Sequence, residues 1–463
     1  MTNAVKELSK LVGEHRVSVH PSDLHRHALD SAAGALISKR EGRYGLPTCV
    51  VRPHTTEQVA QILEWAQRTK TPVVPYGGGS GVVGGIDGRD RVVIEMRSLE
   101  EILDFDETSL LVTAQAGVAG SDLMKSLRSW GCMLGHEPQS LNISTVGGWV
   151  ATRASGQLSA RYGGVENLIA GLEAVLPGGQ VVRSKIGPRR AVGPDLTSLM
   201  IGSEGTLGIV TDVTFRVTRI PDDRVNLCVR FEHMADGVAA CRALAQSDLA
   251  PMLVRLYDRE DTQLLLRNRP EQIDGCVLLL SFDGRDAASR MLEAEKLCAG
   301  ETADEEIVAG WWEHRNDAVE DYRSIMAGKG VLGPHPAVDT MEVSGTWTVL
   351  RDLYHSMKDA LSPEADIAAC HLSHVYSDGA CLYFTMASAC EDDDQARSRL
   401  ARWWNVGMRS CLEAGGSISH HHGIGRLKTP WMRDELGGWF DVLATVKKAI
   451  DPHGIMNPGA LGL

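Results

Sequence analysis

The sequence predicts an α+β protein with two domains. Three observations lead to this prediction: the length of the chain, the alternation of β-branched runs with segments of helical spacing, and a turn cluster near the middle. A chain of 463 residues exceeds what a single hydrophobic core usually supports. Hydrophobic residues make up 43% of it, and its 48 glycines are typical of a globular protein with many tight loops.

The first half of the chain alternates between strand and helix signals. Residues 1–45 are predicted to form a helical segment ahead of the first domain. Strands are expected where β-branched residues cluster between turn residues, at 48–52, 72–76, 92–94 and 110–114. Helices are expected where apolar residues recur at helical spacing, at 57–69 and 121–130. Thr55 or Thr56 is placed to cap the first of these helices.

The second half has its own set of elements and is predicted to form a separate α+β domain. A strand-rich stretch at 205–217 ends in the turn cluster Ile220-Pro221-Asp222-Asp223-Arg224, which is the best candidate for a domain boundary. Further strands are expected at 227–231 and 381–384, and further helices at 234–249, 287–297 and 346–361. The predicted domain limits are therefore 1–45, 46–222 and 223–463.

Composition and charge exclude several classes of protein. The formal net charge of −13 argues against a nucleic-acid partner, because no run of Lys or Arg offsets it. No apolar stretch approaches the roughly 20 residues of a membrane span, and the first residues lack the apolar segment of a secretory signal. The ten cysteines form no Cys-x-x-Cys pair, which suits thiols in a reducing cytosol. A cytoplasmic location is therefore expected.

Three consecutive histidines near the C-terminus are the strongest local signal of a functional site. His420, His421 and His422 are followed by Gly423 and Gly425. In a loop they would place three titratable imidazoles together, and the glycines would let the backbone bend tightly. Core packing alone does not explain such a run.

A glycine-rich loop follows the strand predicted at 72–76. Gly79, Gly81 and Gly84 match the pattern Gly-x-Gly-x-x-Gly formally, but the chain continues into a turn and a strand instead of a helix. This context excludes a Rossmann dinucleotide site. A loop between two strands can still hold phosphates through successive N–H groups. Two more segments of small residues, at 144–156 and 202–210, would allow a large planar cofactor to approach the backbone.

These loops resemble the FAD-binding segments of the vanillyl-alcohol oxidase/p-cresol methylhydroxylase flavoproteins, and the resemblance spans about residues 46–460. It implies that family's two-domain FAD-binding fold, with an α+β cap (substrate) domain whose C-terminal segment lies near the flavin. No histidine occurs between Tyr76 and Gly85 to tether the cofactor, so non-covalent FAD is expected. The resemblance implies these FAD-binding residues: Pro75, Tyr76, Gly77, Gly78, Gly79, Ser80, Gly81, Pro138, Ser140, Ser144, Thr145, Gly147, Gly148, Thr152, Ala154, Ser155, Glu204, Gly205, Gly208, Ile209 and Val210.

Two branches of the family are compatible with the sequence. FAD-linked D-2-hydroxyacid dehydrogenases carry a metal-binding His-x-Gly-Asp-Gly-Asn-x-His segment and a later Glu-His-Gly-x-Gly. The corresponding segment at 373–383 keeps His374 but has no second histidine at that spacing, and His421 stands where the acidic ligand is expected. We therefore expect no metal site, and this dehydrogenase or oxidase activity is kept as the alternative.

The other branch is alkyldihydroxyacetonephosphate synthase, which the segments Ser417–Gly425 and 377–384 resemble more closely. The implied activity exchanges the acyl group of an acyl-ketone-phosphate for a long-chain alcohol through a flavin N5 adduct, in ether lipid biosynthesis. Tyr383 then corresponds to the catalytic acid/base, and the run His420, His421 and His422 shuttles protons and contacts the substrate.

The same resemblance implies the substrate-binding groups. Arg255 and Arg323 match functionally important arginines of the synthases, and a guanidinium is well suited to a phosphate. After Arg323 the run Asp339-Thr340-Met341-Glu342-Val343-Ser344 departs from the family pattern. The expected partner is a small, phosphate-bearing or lipid-like substrate. A homodimer is expected, and a long-chain alcohol would favour contact with a membrane surface.

Overall fold

The computed structural model describes residues 3–267 and 273–463. Helices α1 to α17 lie, in chain order, at Asn3–Val12, Pro21–His27, Ala33–Glu41, Thr56–Thr69, Gly120–Ser129, Val146–Thr152, Ser159–Tyr162, Val165–Leu168, Met234–Ala245, Arg259–Leu265, Ala287–Cys298, Glu306–His314, Ala318–Met326, Trp347–Leu361, Asp393–Glu413, Met432–Leu436 and Trp439–Ile450. Short 3₁₀ turns lie at Glu14–Arg16, Met96–Ser98, Thr197–Leu199, Thr429–Trp431 and Ala460–Gly462.

Strands alternate with these helices in the first half of the chain and dominate the middle of the second. Strands β1 to β18 lie, in chain order, at Val17–Ser18, Cys49–Val51, Val73–Tyr76, Val92–Glu95, Ile102–Asp106, Leu111–Gln115, Cys132–Met133, Ile169–Val175, Val181–Arg183, Ile209–Arg216, Thr218–Arg219, Arg224–Phe231, Leu253–Tyr257, Cys276–Asp283, Glu301–Ala303, Pro336–Thr346, Ile367–Ser373 and Gly379–Ala389. The predicted α+β class is confirmed.

The helix predicted at 57–69 is confirmed as α4, and its sequence explains both its start and its packing. Thr55 caps its N-terminus, where the side-chain oxygen accepts a hydrogen bond from the Gln58 N–H at 3.3 Å. The apolar residues Val59, Ile62 and Leu63 share one face and are fully buried. They pack in one core with residues of β2, β3 and β4.

Two main sheets form the N-terminal part. A four-stranded sheet has the order β1-β2-β4-β3, with β2, β4 and β3 parallel, and α1 and α4 belong to its core. A five-stranded antiparallel sheet has the order β5-β6-β10-β8-β9. Val175 of β8 and Ile209 of β10 are buried in the core of the first sheet, so the two sheets share apolar contacts. Strands β7 and β11 form a separate short pair.

The second half of the chain builds a seven-stranded antiparallel sheet with the order β15-β12-β14-β13-β17-β18-β16. Alternate side chains of β14 enter different cores, with Leu278 and Leu280 on one face and Val277 and Leu279 on the other. Helices α9, α11, α14 and α15 cover the first face. Helix α12 covers part of the second face, and the rest of that face borders the cavity described below.

Contacts cross the predicted domain limits at both ends of the chain. Helix α3, from the predicted N-terminal segment, packs on α15, where the Arg40 Nε donates to Asp393 at 3.1 Å. The last residues return to the first domain, since Val73 of β3 donates to the Ile455 carbonyl and accepts from the Asn457 N–H, at 2.8 and 2.9 Å. The limits 46–222 and 223–463 stay predictions, but residues 446–457 pack against the first of them. Among the described residues, no helix is both long and apolar enough to cross a membrane.

Candidate active site

A cavity of about 1090 Å³ lies between the seven-stranded sheet and the N-terminal sheets. All of the residues proposed from the sequence to bind FAD line it, and so do Arg255, Arg323, Tyr383, His421 and His422. His420 is not among the lining residues and lies against Tyr376, whose phenolic oxygen is 3.0 Å from the His420 Nε2. The fold thus brings the separate glycine loops, the arginines and the histidine run around one space.

The glycine loop after β3 has the features of a phosphate cradle. Ser31 fixes the conformation of this loop through two hydrogen bonds. Its hydroxyl donates to the Gly79 carbonyl at 3.0 Å, and its N–H donates to the Gly81 carbonyl at 2.8 Å. In the described part of the chain, the N–H groups of residues 78–82 find no acceptor. A Cβ at Gly78 would lie 1.7 Å from the Ile143 carbonyl, so only glycine fits. Unpaired N–H groups lining a cavity suit the pyrophosphate of FAD.

Glu204 joins the FAD loops to the loop that carries the histidines. Its carboxylate accepts hydrogen bonds from the N–H groups of Ile424 and Gly425 at 2.7 and 2.8 Å. Burial raises the pKa of Glu204 to about 7, although the two N–H donors oppose that rise. Asn457, from the C-terminal segment, donates to the Glu204 carbonyl at 2.8 Å. Three distant parts of the sequence therefore meet at this residue.

Glu342 fixes the backbone of the histidine run. Its Oε1 accepts a hydrogen bond from the Ser419 hydroxyl at 2.6 Å and from the N–H groups of residues 420–422 at 3.3, 3.3 and 2.9 Å. Its Oε2 accepts from the Lys428 Nζ at 2.6 Å, and both side chains are fully buried. Burial alone would raise the pKa of Glu342, but Lys428 and His422 outweigh it and lower the pKa to about 2. In the sequence, this segment is visible only as a departure from the family pattern.

Tyr383 lies among three aromatic neighbours beside the cavity. It faces His371 across the β17–β18 pair, and the two rings stack with centroids 4.7 Å apart. His422 packs edge-on against the same phenol with centroids 5.5 Å apart, and the ring of His421 lies nearly parallel to it with centroids 6.0 Å apart. Burial raises the pKa of Tyr383 to about 12, although a hydrogen bond from Thr340 opposes the rise. The phenol is therefore protonated at neutral pH.

Behind Tyr383, a buried chain of hydrogen bonds fixes one tautomer of His371. The Arg255 guanidinium donates to the His371 Nε2 at 2.8 Å, and the His371 Nδ1 donates to the Asp261 carboxylate at 2.8 Å. Arginine has no acceptor atom, so the ring proton must lie on Nδ1. Burial and the charge of Arg255 lower the pKa of His371 to about 4. The Nε of Arg255 is buried without an acceptor in the described structure.

Neither His371 nor Asp261 was predicted from the sequence. Strand alternation places Arg255 and His371 on the cavity face while Leu256 and Leu372 enter the core on the other side, and Asp261 comes from helix α10, which follows β13. Only the pairing of β13 with β17 and of β17 with β18 reveals this arrangement.

Arg323 lies at the glycine-loop end of the cavity. Its guanidinium donates to the Ser31 hydroxyl at 3.2 Å, and the neighbouring Tyr322 hydroxyl donates to the Ser31 carbonyl at 3.3 Å. The hydroxyl of Ser31 in turn holds the glycine loop. The role of Arg323 as a substrate ligand stays a prediction.

His374 belongs to a cluster that sequence spacing did not indicate. Its ring lies 4.7 Å from the ring of His420 and 4.6 Å from that of His421, measured between centroids. One ring nitrogen from each of the three lies within 4.8 Å of the others. Burial lowers the pKa of all three imidazoles, that of His420 to about 4. The expectation of no metal site rested on the missing second histidine and on His421 in place of an acidic ligand, and it stays a prediction.

Two family models match the chain. One, described as "FAD binding domain", matches residues 47–185, and the other, described as "FAD linked oxidases, C-terminal domain", matches residues 220–461. Among solved structures, alkyldihydroxyacetonephosphate synthase superposes with a TM-score of 0.81 at 25% identity, covering 99% of this chain and 84% of that one. p-Cresol methylhydroxylase has the same TM-score at 16% identity, with coverage of 99% and 96%, and shows the fold alone.

Full-length relatives lead to the same family. The uncharacterized FAD-linked oxidoreductase YgcU of Escherichia coli (strain K12) is 31% identical, with 99% of this chain and 97% of the relative aligned. Alkyldihydroxyacetonephosphate synthase of Dictyostelium discoideum is 30% identical, with coverage of 94% and 76%. Glycolate oxidase subunit GlcD of Bacillus subtilis (strain 168) is 27% identical, with coverage of 93% and 93%. The protein therefore belongs to the FAD-linked oxidases with a p-cresol methylhydroxylase-type fold, and its cofactor is FAD.

Proposed function

We propose that this protein exchanges the acyl group of an acyl-ketone-phosphate for a long-chain alcohol, with FAD bound non-covalently in the cavity. The observation that carries the proposal is the position of Tyr383, a protonated phenol on the cavity face with a neutral His371 on one side and His422 on the other. The 30% identity to the Dictyostelium synthase and the superposition on a solved synthase support it.

The proposed exchange needs proton transfers at a substrate carbon and at the incoming alcohol. FAD, when bound, supplies the ring system on which the substrate is activated. The bond between the substrate carbon and the ester oxygen breaks, the acyl group leaves with that oxygen as a carboxylate, and the alcohol oxygen forms the new bond to the same carbon while losing its proton. Tyr383 and His422 are the acid/base groups placed for these transfers, and the substrate carbon undergoes no net oxidation.

Other lining residues suit the two ends of such a substrate. Arg255 has an unpaired Nε and Arg323 lines the same cavity, so two guanidinium groups are available to a phosphate. Part of the lining on α10 and α12 is apolar and suits an alkyl chain. Its residues there include Leu264, Leu265, Ile307 and Trp311.

A product assay tests the exchange directly. The purified holoprotein is incubated with palmitoyl-dihydroxyacetone phosphate and deuterated hexadecanol, without any electron acceptor. We expect a deuterated ether product and one free palmitate for each ether formed, detected by mass spectrometry. A protein in which His355 is replaced by Ala serves as a control, because that imidazole is exposed on α14. Palmitate release without ether formation would contradict the proposal.

A second candidate function is the oxidation of a D-2-hydroxy acid. The cluster of His374, His420 and His421 favours it, because a bound metal ion can orient a hydroxyl and a carboxylate. The relationship to glycolate oxidase subunit GlcD gives it separate support. Anaerobic addition of D-lactate or D-2-hydroxyglutarate would bleach the flavin absorbance near 450 nm if this function is correct, and the synthase proposal predicts no bleaching.

A homodimer, a cytoplasmic location and contact with a membrane surface remain predictions from the sequence. Analytical ultracentrifugation of the holoprotein tests the first, and a single species of about twice 50.2 kDa is the expected result. Flotation with phospholipid vesicles tests the last.

A further inference from the structure

Arg426 connects the glycine loop to the loop that carries the histidine run. It follows the histidines in the loop after α15. Its guanidinium donates to the carbonyls of Gly84 and Gly85, at the end of the glycine loop, at 2.9 Å each. It also donates to the Asn457 Oδ1 and the Pro458 carbonyl, both at 2.9 Å. We propose that Arg426 is a positioning residue that couples FAD binding to the order of the histidine run.

The histidine loop lies directly against the glycine loop at this point. The N–H groups of Arg426 and Leu427 both donate to the Val83 carbonyl at 3.1 Å. A Cβ at Gly425 would lie 2.0 Å from the Val83 carbonyl oxygen, so only glycine allows this approach. The Gly425 carbonyl accepts a hydrogen bond from the Leu461 N–H at 2.9 Å. A shift at the end of the glycine loop therefore has to move the histidine loop as well.

The same end of the glycine loop is fixed to the groups that surround FAD. The Asn457 Nδ2 donates to the Gly85 carbonyl at 3.0 Å and to the Glu204 carbonyl at 2.8 Å. The unpaired N–H groups that suit the pyrophosphate, at residues 78–82, come just before it in the chain. Binding of FAD to these groups orders the glycine loop, and Arg426 transmits that order to the histidines.

The shape of the arginine side chain suits this link. All four acceptors of Arg426 are uncharged oxygens, so the contact is a set of hydrogen bonds and not an ion pair. A planar guanidinium presents several N–H donors in a fixed geometry and can hold two segments at once. A lysine ends in a single ammonium group on a flexible stem, which reaches one of the segments but not both.

Retention of FAD by the holoprotein measures the coupling without reference to turnover, so the test does not depend on the proposed exchange. The holoprotein is diluted stepwise, and the rise in fluorescence of free flavin gives the FAD dissociation constant. Arg426→Lys should weaken FAD binding about 5–150-fold, the range typical of coupling between two sites. Arg433→Met is the matched control, because Arg433 pairs with Asp441 on the surface and should retain FAD as the wild type does.

A second substitution separates this coupling from a local defect. Ser419→Ala removes the hydroxyl that donates to Glu342 at 2.6 Å, and so loosens the histidine run. Because coupling is reciprocal, Ser419→Ala should weaken FAD binding in the wild-type background and have no further effect in Arg426→Lys. At saturating FAD, hydrogen exchange at residues 419–425 should be faster in Arg426→Lys, with the buried strands of the seven-stranded sheet unchanged.

Three results would each overturn the proposal. Arg426→Lys would retain FAD as tightly as the wild type, or its hydrogen exchange would rise throughout the protein. Alternatively, Ser419→Ala would weaken FAD binding by the same factor in both backgrounds, which would show that the two sites act independently.

Discussion

Replacing Glu342 with Gln should destabilise the protein strongly and disorder the histidine run. The wild-type carboxylate contacts the Nζ of Lys428 at 2.6 Å, and neither side chain is exposed to solvent. It also accepts hydrogen bonds from the Ser419 hydroxyl and from three successive N–H groups of residues 420–422. A glutamine keeps one acceptor oxygen but turns an uncharged amide towards the ammonium group.

Glu342→Gln lowers the free energy of unfolding because it leaves the charge of Lys428 buried without a partner. Removing one member of a buried ion pair typically costs about 3–5 kcal/mol, because the other charge remains without a partner. Hydrogen bonds to a charged acceptor contribute about 1.5–3 kcal/mol, against about 0.5–1.5 kcal/mol for neutral ones, so the contacts to the run weaken as well. We therefore expect the free energy of unfolding to fall by about 3–5 kcal/mol in Glu342→Gln.

Urea unfolding of the holoprotein, followed by circular dichroism, measures this loss. Adding Lys428→Met to Glu342→Gln removes both charges and should recover about 2 kcal/mol relative to Glu342→Gln alone. Asp441→Asn is the matched control, since Asp441 pairs with Arg433 at 3.0 Å on the surface and should matter by less than about 1 kcal/mol. A loss below about 1 kcal/mol in Glu342→Gln, or no recovery in the double variant, would refute the reasoning.

Three further predictions concern the cofactor and the buried chain behind the phenol. Gly78→Ala should lose FAD, because the new Cβ would lie 1.7 Å from the Ile143 carbonyl, whereas Gly34→Ala, with open space around it, should keep the normal flavin absorbance. Acid precipitation should release FAD into solution, and flavin retained by the precipitate would show a covalent bond. The pKa of His371 is 6.5 in the unfolded chain and about 4 in the folded protein. The neutral ring therefore contributes up to about 3 kcal/mol to the free energy of unfolding above pH 6.5, and this contribution is lost as the pH falls towards 4. The free energy of unfolding of His371→Gln should therefore decline less than that of the wild type between pH 6.5 and 4. Identical pH profiles for the two proteins would contradict the lowered pKa of His371.

That the glycine loops line one cavity was predictable because their signals are local. Positions such as Gly78 cannot hold a side chain, and that requirement appears in the sequence as glycine. The helix at 57–69 was equally clear, because its cap and its apolar face lie within a few turns of each other. The position of the histidine run near the FAD loops followed from the family resemblance.

The rest of the site depends on pairings between distant segments. His371 stacks on Tyr383 only because β17 and β18 pair in one particular register, which no local pattern reveals. Lys428 gives no sign in the sequence that it is buried, since lysine is ordinarily exposed, and its partner Glu342 lies 86 positions away. His374, whose φ is +50°, lies in the loop between β17 and β18, whereas His420 lies in the loop after α15. Their rings meet only in the folded protein, so their spacing along the chain did not predict the cluster.

The most direct test of the central claim is to measure turnover and bound flavin on the same preparation of Tyr383→Phe. Removing one oxygen preserves the ring and its stacking on His371, so FAD should remain bound at the wild-type stoichiometry. Loss of a positioned acid/base should lower the rate of ether formation about 10²–10⁴-fold. Near-normal ether formation with full flavin content would contradict the account and leave His422 as the remaining acid/base candidate.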